Sequence, residues 1–498
     1  MKIKSILSLT LSCFMLLQVL PVSAASSLST SDLTNLRQYI ADAISKNHIS
    51  GATLAIASEN QTILLEAFGK RNVTDNIDMT TDTLFHIAST NKAITSFLIG
   101  ILVDEGALTW DTKAIDIYPD FTLSNQTYAN QITIRQLLDM SSGLPKYADV
   151  SSARLILTGL GNVNLLAAPG VLYQYSNVSV AMAAYLAVLA KAKADNGTIT
   201  EADLNNLHAS YEKLLREKVL VPLGMNDAYL YIDAARNTGK MADSHHLENN
   251  IFVVSESEDQ KVDPFAPAGG LKTSANSLLR YVITEMQQGL SPDGTRILST
   301  SSINTRQTLS AGVASENDYG LSLDIKTFSN ELKYIGINGS FDNFNSVMGF
   351  FPDKKIAFAL LINSESPRAA QLTAETGLEN KIAELLNQGI IDRITEGNQS
   401  NHTNYFKLVL SQALSVDASV NYTTRDNSAI AGQDYIAKTG TVTIPAGQTS
   451  QTIGIDIIAD NNSEKEESFS LVLTNPSGAN FSNGVQEVVA THTIIDDD

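Results

Sequence analysis

Phe85-His86-Ile87-Ala88-Ser89-Thr90-Asn91-Lys92 runs straight into an apolar segment, Ile94, Phe97, Leu98, Ile101 and Leu102, that ends at Gly106. The apolar positions recur at helical spacing, which predicts a buried helix with Ser89 at its N-terminus. Three residues apart, Ser89 and Lys92 share one face of that helix. A serine there gains from the positive end of the helix dipole. A lysine forced out of water is driven toward its neutral amine, which can take the serine's proton. The same spacing at Ser210 and Lys213 means little, because Glu212, Arg216 and Glu217 make that stretch an ordinary solvated helix.

Working outward, Pro169-Gly170-Val171-Leu172-Tyr173-Gln174-Tyr175-Ser176-Asn177 is an irregular segment from which Tyr175 and Asn177 can point together into a cleft. Tyr175 suits a proton relay and Asn177 a contact to a substrate amide. Tyr128-Ala129-Asn130, in a polar stretch, is the surface-turn counterpart of that pattern. Before Ser89, residues 31–45 have a helical period, and Ala52 to Ala57 and Thr62 to Phe68 read as a hairpin. After it, a largely helical middle extends to about Tyr281. Strand patterns return at Leu332 to Ile337, Ser346 to Phe351 and Ile356 to Ile362, before a final helix over 370–386. The expected fold is α+β: one antiparallel sheet shared by both ends, flanked by helices, with a helical region inserted.

Ser89-x-x-Lys92 followed by Tyr175-Ser176-Asn177 resembles the serine β-lactamase and penicillin-binding-protein fold, in the branch of class C β-lactamases, D-alanyl-D-alanine carboxypeptidases and related esterases. Leu102 to Leu108, Ile134 to Leu138 with Ser142-Gly143-Leu144, and Ala268-Gly269-Gly270-Leu271 extend the resemblance over about 31–388. It implies an acyl-enzyme on Ser89 with Lys92 as base and Tyr175 as relay, and no cofactor for catalysis. It also implies a third motif, Lys or His, a small polar residue, then Gly, on the strand beside the serine. Lys438-Thr439-Gly440 matches literally but lies beyond the helix that closes the fold. The positional match is Ile337-Asn338-Gly339-Ser340, in which the cation has become isoleucine. Asn338 remains a substrate contact, and Gly339 with Ser340 remains the strand that completes an oxyanion hole. Without the cation, β-lactam hydrolysis recedes and esters or neutral amides advance. The activity that the resemblance implies is D-alanyl-D-alanine carboxypeptidase-like or β-lactamase-related, with an esterase of the same fold, or a non-catalytic protein that binds peptidoglycan peptides or β-lactams, as the alternatives.

From 391 to the end the composition turns to short alternating strands with turns at Pro445-Ala446-Gly447 and Asn475-Pro476-Ser477-Gly478, an all-β domain. Ala431-Gly432-Gln433-Asp434-Tyr435, Gly440 to Ile444, Glu464 to Phe469 and the terminal acids resemble a Calx-beta domain, an immunoglobulin-like sandwich. That resemblance implies calcium ligands at Glu396, Asp434, Asp460, Glu464, Asp496, Asp497 and Asp498, with Ala459 and Asn461 where the family usually carries acids. His245-His246, beside Asp243 and Glu248, lacks the spacing of convergent metal ligands and reads as a solvated loop.

Residues 1–24 read as a removable leader: Lys2 and Lys4, an apolar run from Ile6 to Leu20, and a small-residue cleavage signature at Val22-Ser23-Ala24. The expected layout is therefore leader 1–24, hydrolase 25–390 and β-sandwich 391–498, exported to a periplasmic or extracellular location. The single cysteine, Cys13, falls in the leader, which excludes cysteine catalysis. A net charge of −19 repels phosphate backbones, which excludes nucleic acid as a partner. The leader's apolar run is too short and interrupted for a membrane anchor, so no integral membrane protein is expected. The expected partner is a small-molecule or peptide substrate, cell-wall peptide included; nothing in the sequence sets the oligomeric state.

Overall fold

Gly51–Ser58 is a run of small and β-branched residues, buried as far as Ala57, and so forms the middle of a sheet rather than an edge. In the computed structural model, which describes residues 28, 30–46, 48–255, 264–310, 319–328, 332–373, 377–386, 393–395, 401–410, 413–460, 467–479 and 486–495, this strand is β1. Its successors are β2 (Gln61–Asn72), β3 (Ile77–Asp78), β4 (Phe85–His86), β5 (His245–Glu248), β6 (Ile251–Val254), β7 (Lys272–Thr273), β8 (Asp324–Thr327), β9 (Lys333–Phe341), β10 (Phe344–Phe351) and β11 (Ile356–Ile362). Chain contacts set residues 27–383 apart from those from 384 onward.

In the first unit the sheet order is β3-β2-β1-β11-β10-β9-β8. β1 and β11 pair antiparallel from Ala52 with Ile362 to Ser58 with Ile356, so the two ends of this unit share one sheet, as expected. β9 and β10 are joined by Asp342 and Asn343, whose φ values of 50° and 60° are those of a tight hairpin turn that Asp and Asn tolerate. The inserted helical region is organised by two helices with little amphipathicity. Asn91–Asp104 is buried from Asn91 to Leu102, and Asn177–Asn196 from Asn177 to Ala190. A helix buried all round belongs inside a core, and these two lie in contact.

A polar knot joins three helices within this core. Arg306 and Glu285 form an ion pair with side chains 0% and 2% exposed. Arg306 also donates to Ser96 Oγ (3.0 Å) and the Ala93 carbonyl (2.8 Å), while Tyr281 and Gln307 donate to the Glu285 carboxylate.

Two expectations are corrected here. The single final helix is two, Pro367–Thr373 and Leu378–Leu386. The His245-His246 segment is not a loop but the hairpin β5–β6, with His245 fully buried. Val73 N–H donates to His245 Nε2 at 3.2 Å, so the neutral ring carries its proton on Nδ1, 3.1 Å from the Asn363 carbonyl. Burial holds the ring below its ordinary pKa. His246 instead meets Glu248 at 3.0 Å and Ser255 at 2.8 Å.

The second unit contains β12 (Arg393–Thr395), β13 (His402–Val409), β14 (Ala418–Asp426), β15 (Thr439–Ile444), β16 (Ser450–Ile457), β17 (Glu467–Ser477) and β18 (Glu487–Ile495). One sheet runs β12-β18-β17-β14-β15 and the other pairs β13 with β16. Between them lies a core of Phe406, Val420, Tyr435, Ile455, Phe469 and Leu471. The literal Lys438-Thr439-Gly440 match sits at the start of β15, with Lys438 Nζ donating to the Gly454 carbonyl at 2.7 Å.

His492 lies in this second core, its ring 3.6 Å from that of Phe406 and 5.9 Å from that of Phe469. Burial lowers its pKa to about 4, against about 6.5 in an unfolded chain. Its folded value is depressed, so stability present above pH 6.5 is lost as the pH falls through 4. Between pH 7.5 and 4.5 this site alone is expected to remove about 2–3 kcal/mol. Melting the full chain at both pH values should show a smaller acid loss in His492→Phe than in the wild type; equal losses would refute the assignment.

Candidate active site

Ala88–Thr90 is a single 3-10 turn leading into the Asn91–Asp104 helix, and Ser89 sits in it, partly exposed, while its neighbours are buried. Ala88 holds a left-handed backbone with φ 49°, a conformation that costs an L-residue about 1–2 kcal/mol. Its amide is held there by donating to His86 Nδ1 at 3.1 Å, and the His86 ring is tilted against that of Phe341 with centroids 5.1 Å apart.

Around Ser89 Oγ two groups converge. Lys92 Nζ lies 2.9 Å away and also donates to the Ala268 carbonyl at 2.6 Å. Lys92 is completely buried, and that burial, reinforced by the charge of Lys146, drives its amine well below the ordinary lysine pKa. Tyr175 Oη lies 2.5 Å from Ser89 Oγ, with the Lys92 amine 4.9 Å from its ring centre. Burial is the main cause that pushes the Tyr175 hydroxyl up to about 12, so it is a proton donor at neutral pH. An amine held toward its neutral form, a serine hydroxyl and a protonated phenol in one hydrogen-bonded chain are what general-base activation of a serine requires.

The Tyr175 segment is placed by a helix cap. Ser176 Oγ accepts from Ser179 N at 3.0 Å and donates to the Pro145 carbonyl at 2.7 Å. Asn177 is the first helical residue, largely buried, and its amide donates to the Lys146 carbonyl at 3.0 Å. The short helix Ala266–Gly269, which bears Ala268, is clamped to the Ser89 helix by Asn91 Nδ2 on the Ala266 carbonyl (2.9 Å) and Thr95 Oγ1 on the Pro267 carbonyl (2.6 Å).

β9 forms the opposite wall. Ile337 and Gly339, two apart, share one face, and that face meets the Ser89 turn. A Cβ at Gly339 would stand 2.7 Å from Ser89 N and 2.8 Å from the Ile87 carbonyl, so only glycine allows this approach. Ser346 Oγ, cross-strand from Gly339, donates to the Ile87 carbonyl at 2.7 Å and pins turn to sheet. Ile337 is 4% exposed and belongs to the hydrophobic core, which makes this wall apolar where a cation was expected from the resemblance. Asn338 and Ser340 alternate to exposed positions. Among the described residues β8 pairs with β9 only as far as Gly336, which leaves the edge from Ile337 onward open beside Ser89.

Of the residues singled out in the sequence, Ser89, Lys92 and Tyr175 come together, with Gly339 against them. Asp434 accepts from Ile430 N at 2.6 Å and is largely buried, so its carboxylate is engaged by its own turn; Asp460 is half-buried. Glu396, Glu464, Asp496, Asp497 and Asp498 lie outside the described residues. Among the described residues no three His, Cys, Asp or Glu side chains form a group that could hold a metal. No role for the Ala268 carbonyl, His86, Ser346 or Lys146 follows from the sequence, although each lies in or beside a stretch singled out there: Ala268-Gly269-Gly270, Phe85 to Lys92, the strand from Ser346, and Ser142-Gly143-Leu144.

An antiparallel sheet and helical region with a serine, a buried lysine and a tyrosine in contact are the arrangement of the β-lactamase and penicillin-binding-protein fold. Comparison with known families places the chain more closely. Residues 36–379 match the Beta-lactamase family and residues 393–498 the Calx-beta domain, and the chain belongs to the Beta-lactamase family. Similar proteins include the unguisins hydrolase ungD' of Aspergillus campestris, 27% identical over 48% of this chain and 44% of that protein. Penicillin-binding protein 4 of Amycolatopsis lactamdurans is 25% identical over 52% of this chain and 65% of that protein. Protein flp of Staphylococcus aureus (strain N315) is 24% identical over 72% and 70%. The chain thus spans less than two thirds of the length of the first two. Among solved structures, the octameric penicillin-binding protein homologue from Pyrococcus abyssi is 19% identical with a TM-score of 0.57, covering 92% of this chain and all of that one, a likeness of fold.

Proposed function

We propose that the protein is an exported hydrolase that forms an acyl-enzyme on Ser89 and acts on esters or amides related to D-alanyl peptides and β-lactams, with esters the better substrates. The observation that carries this reading is the wholly buried Lys92, its Nζ 2.9 Å from Ser89 Oγ, with Tyr175 Oη 2.5 Å from the same oxygen. Ser89 Oγ attacks the substrate carbonyl carbon as its proton passes to the neutral Lys92 amine. The oxyanion is held by the backbone N–H groups of Ser89 and Ser340. Collapse breaks the bond to the leaving group, which takes the Tyr175 proton, and Lys92 returns a proton to Tyr175. Water then attacks the acyl carbonyl, its proton leaves through the same relay, and Ser89 is regenerated with release of the acid.

Ile337 on the β9 wall supports the choice of ester over β-lactam, because no cation stands there to hold a carboxylate. The test is turnover of p-nitrophenyl acetate and of benzylpenicillin by wild type and Ser89→Ala. Expected is ester turnover that vanishes in the variant and exceeds β-lactam turnover in the wild type. The second reading, a binding protein, is favoured by the same Ile337, and absence of Ser89-dependent turnover with both substrates would sink the hydrolase reading for them and favour it instead. Export rests on Lys2, Lys4 and the apolar run ending before Ala24; recovery of a secreted form lacking residues 1–24 is its check, and retention of the full leader in the cell would overturn it. No helix among the described residues is long and apolar enough to cross a membrane.

A further inference from the structure

The three groups joined at Ser89 include no permanent cation, since Lys92 is held toward its neutral form. One ammonium nevertheless stands close by. Lys146 follows Ser142-Gly143-Leu144-Pro145 and is exposed, yet its backbone is fixed: its carbonyl accepts from the Asn177 amide at 3.0 Å. Its Nζ lies 5.6 Å from the ring centre of Tyr147 and 5.9 Å from that of Tyr175, within the range where an aromatic face attracts a cation. Among the described residues no carboxylate forms an ion pair with it. That is notable in a chain of net charge −19, where acids outnumber bases 53 to 34.

A cation held over the rings beside a nucleophile, without a carboxylate partner, suits an anion brought in by the substrate. The background field of so acidic a protein disfavours anions, so any preference for them has to come from a local charge. The β9 wall offers Ile337 instead of a cation, which leaves Lys146, on the loop that accepts hydrogen bonds from Tyr175's neighbours Ser176 and Asn177, as the group to supply it.

We propose that Lys146 is a specificity-determining residue: its ammonium receives a carboxylate on the acyl or leaving side of the substrate and so draws anionic substrates to Ser89. This inference rests on the hydrolase reading above. The carboxylate contact is made from the loop bearing Lys146, so an apolar β9 wall and recognition of an anionic substrate are compatible.

The test compares kcat/KM for matched esters with and without a carboxylate. One pair is mono-p-nitrophenyl glutarate against p-nitrophenyl valerate, with the charge on the acyl side; the other is 4-acetoxybenzoate against phenyl acetate, with the charge on the leaving side. In Lys146→Met the anionic-to-neutral ratio is expected to fall about tenfold for at least one pair, the scale of one lost charge-assisted hydrogen bond. Lys146→Arg should keep most of the ratio and Lys146→Glu should lower it further. A merely structural lysine would shift both members of a pair alike. Ser89-dependent turnover with ratios unchanged in Lys146→Met and Lys146→Glu would overturn this inference and leave the hydrolase reading standing. Absence of Ser89-dependent turnover of any of the four esters would remove both.

Discussion

Lys92→Met is expected to lower kcat/KM for an ester by about 10³-fold while the protein still folds, because it deletes the proposed base and keeps the shape. Methionine fills nearly the same volume in the fully buried site. The variant loses the contact to the Ala268 carbonyl, worth about 1 kcal/mol, and is relieved of a buried amine. The pH dependence gives the sign. The folded pKa of Lys92 is depressed well below the ordinary lysine value by burial, so as the pH falls from that ordinary value the unfolded chain takes up its proton before the folded one does. That difference penalises the wild type near pH 7 and fades as the pH rises toward the unfolded value. Melting temperatures should therefore favour the methionine variant most near pH 7 and converge with the wild type toward pH 10. Activity retained within tenfold would remove Lys92 as the base; a stability gap constant with pH would show that Lys92 is not held neutral.

Arg306→Met is expected to cost about 3–5 kcal/mol, the largest stability effect anticipated in the hydrolase unit. It strands the buried Glu285 carboxylate, otherwise served by Tyr281 and Gln307. The Asn91–Asp104 helix would lose the contacts to Ser96 and Ala93 that tie it to the helix ending at Arg306. Removing both charges, in Arg306→Met with Glu285→Leu, should recover a large part of the loss, since replacement of a whole buried pair by apolar groups is often close to neutral. Urea unfolding of the full chain measures both. A single-variant loss below 1 kcal/mol, or a double variant no better than the single, would contradict the role assigned to this pair.

The sequence shows most where chemistry conflicts with its surroundings. A lysine opening an apolar helix marks the site, because burying an amine needs a reason. The order of hairpin, helices and returning strands shows that both ends share a sheet. Less legible are contacts made by backbone groups, which have no residue signature. The Ala268 carbonyl that holds Lys92 and the left-handed Ala88 that presents Ser89 belong to this class. The His245 hairpin was misread because acids nearby suggested solvation, whereas its burial is completed by Asn363, 118 residues later. The Arg306 and Glu285 pair likewise depends on a fold in which helices distant in sequence converge. Gly339 lies between these cases: its position in the strand was readable, but the 2.7 Å approach that demands glycine was not.

The measurement that tests the central claim most directly is intact-mass spectrometry of the protein quenched during turnover of p-nitrophenyl acetate, followed by peptide mapping, in wild type and Ser89→Ala. The account predicts an added acetyl group on Ser89 that decays as product forms and is absent in the variant. Turnover that proceeds with no adduct on Ser89, or an adduct that survives in Ser89→Ala, would contradict it.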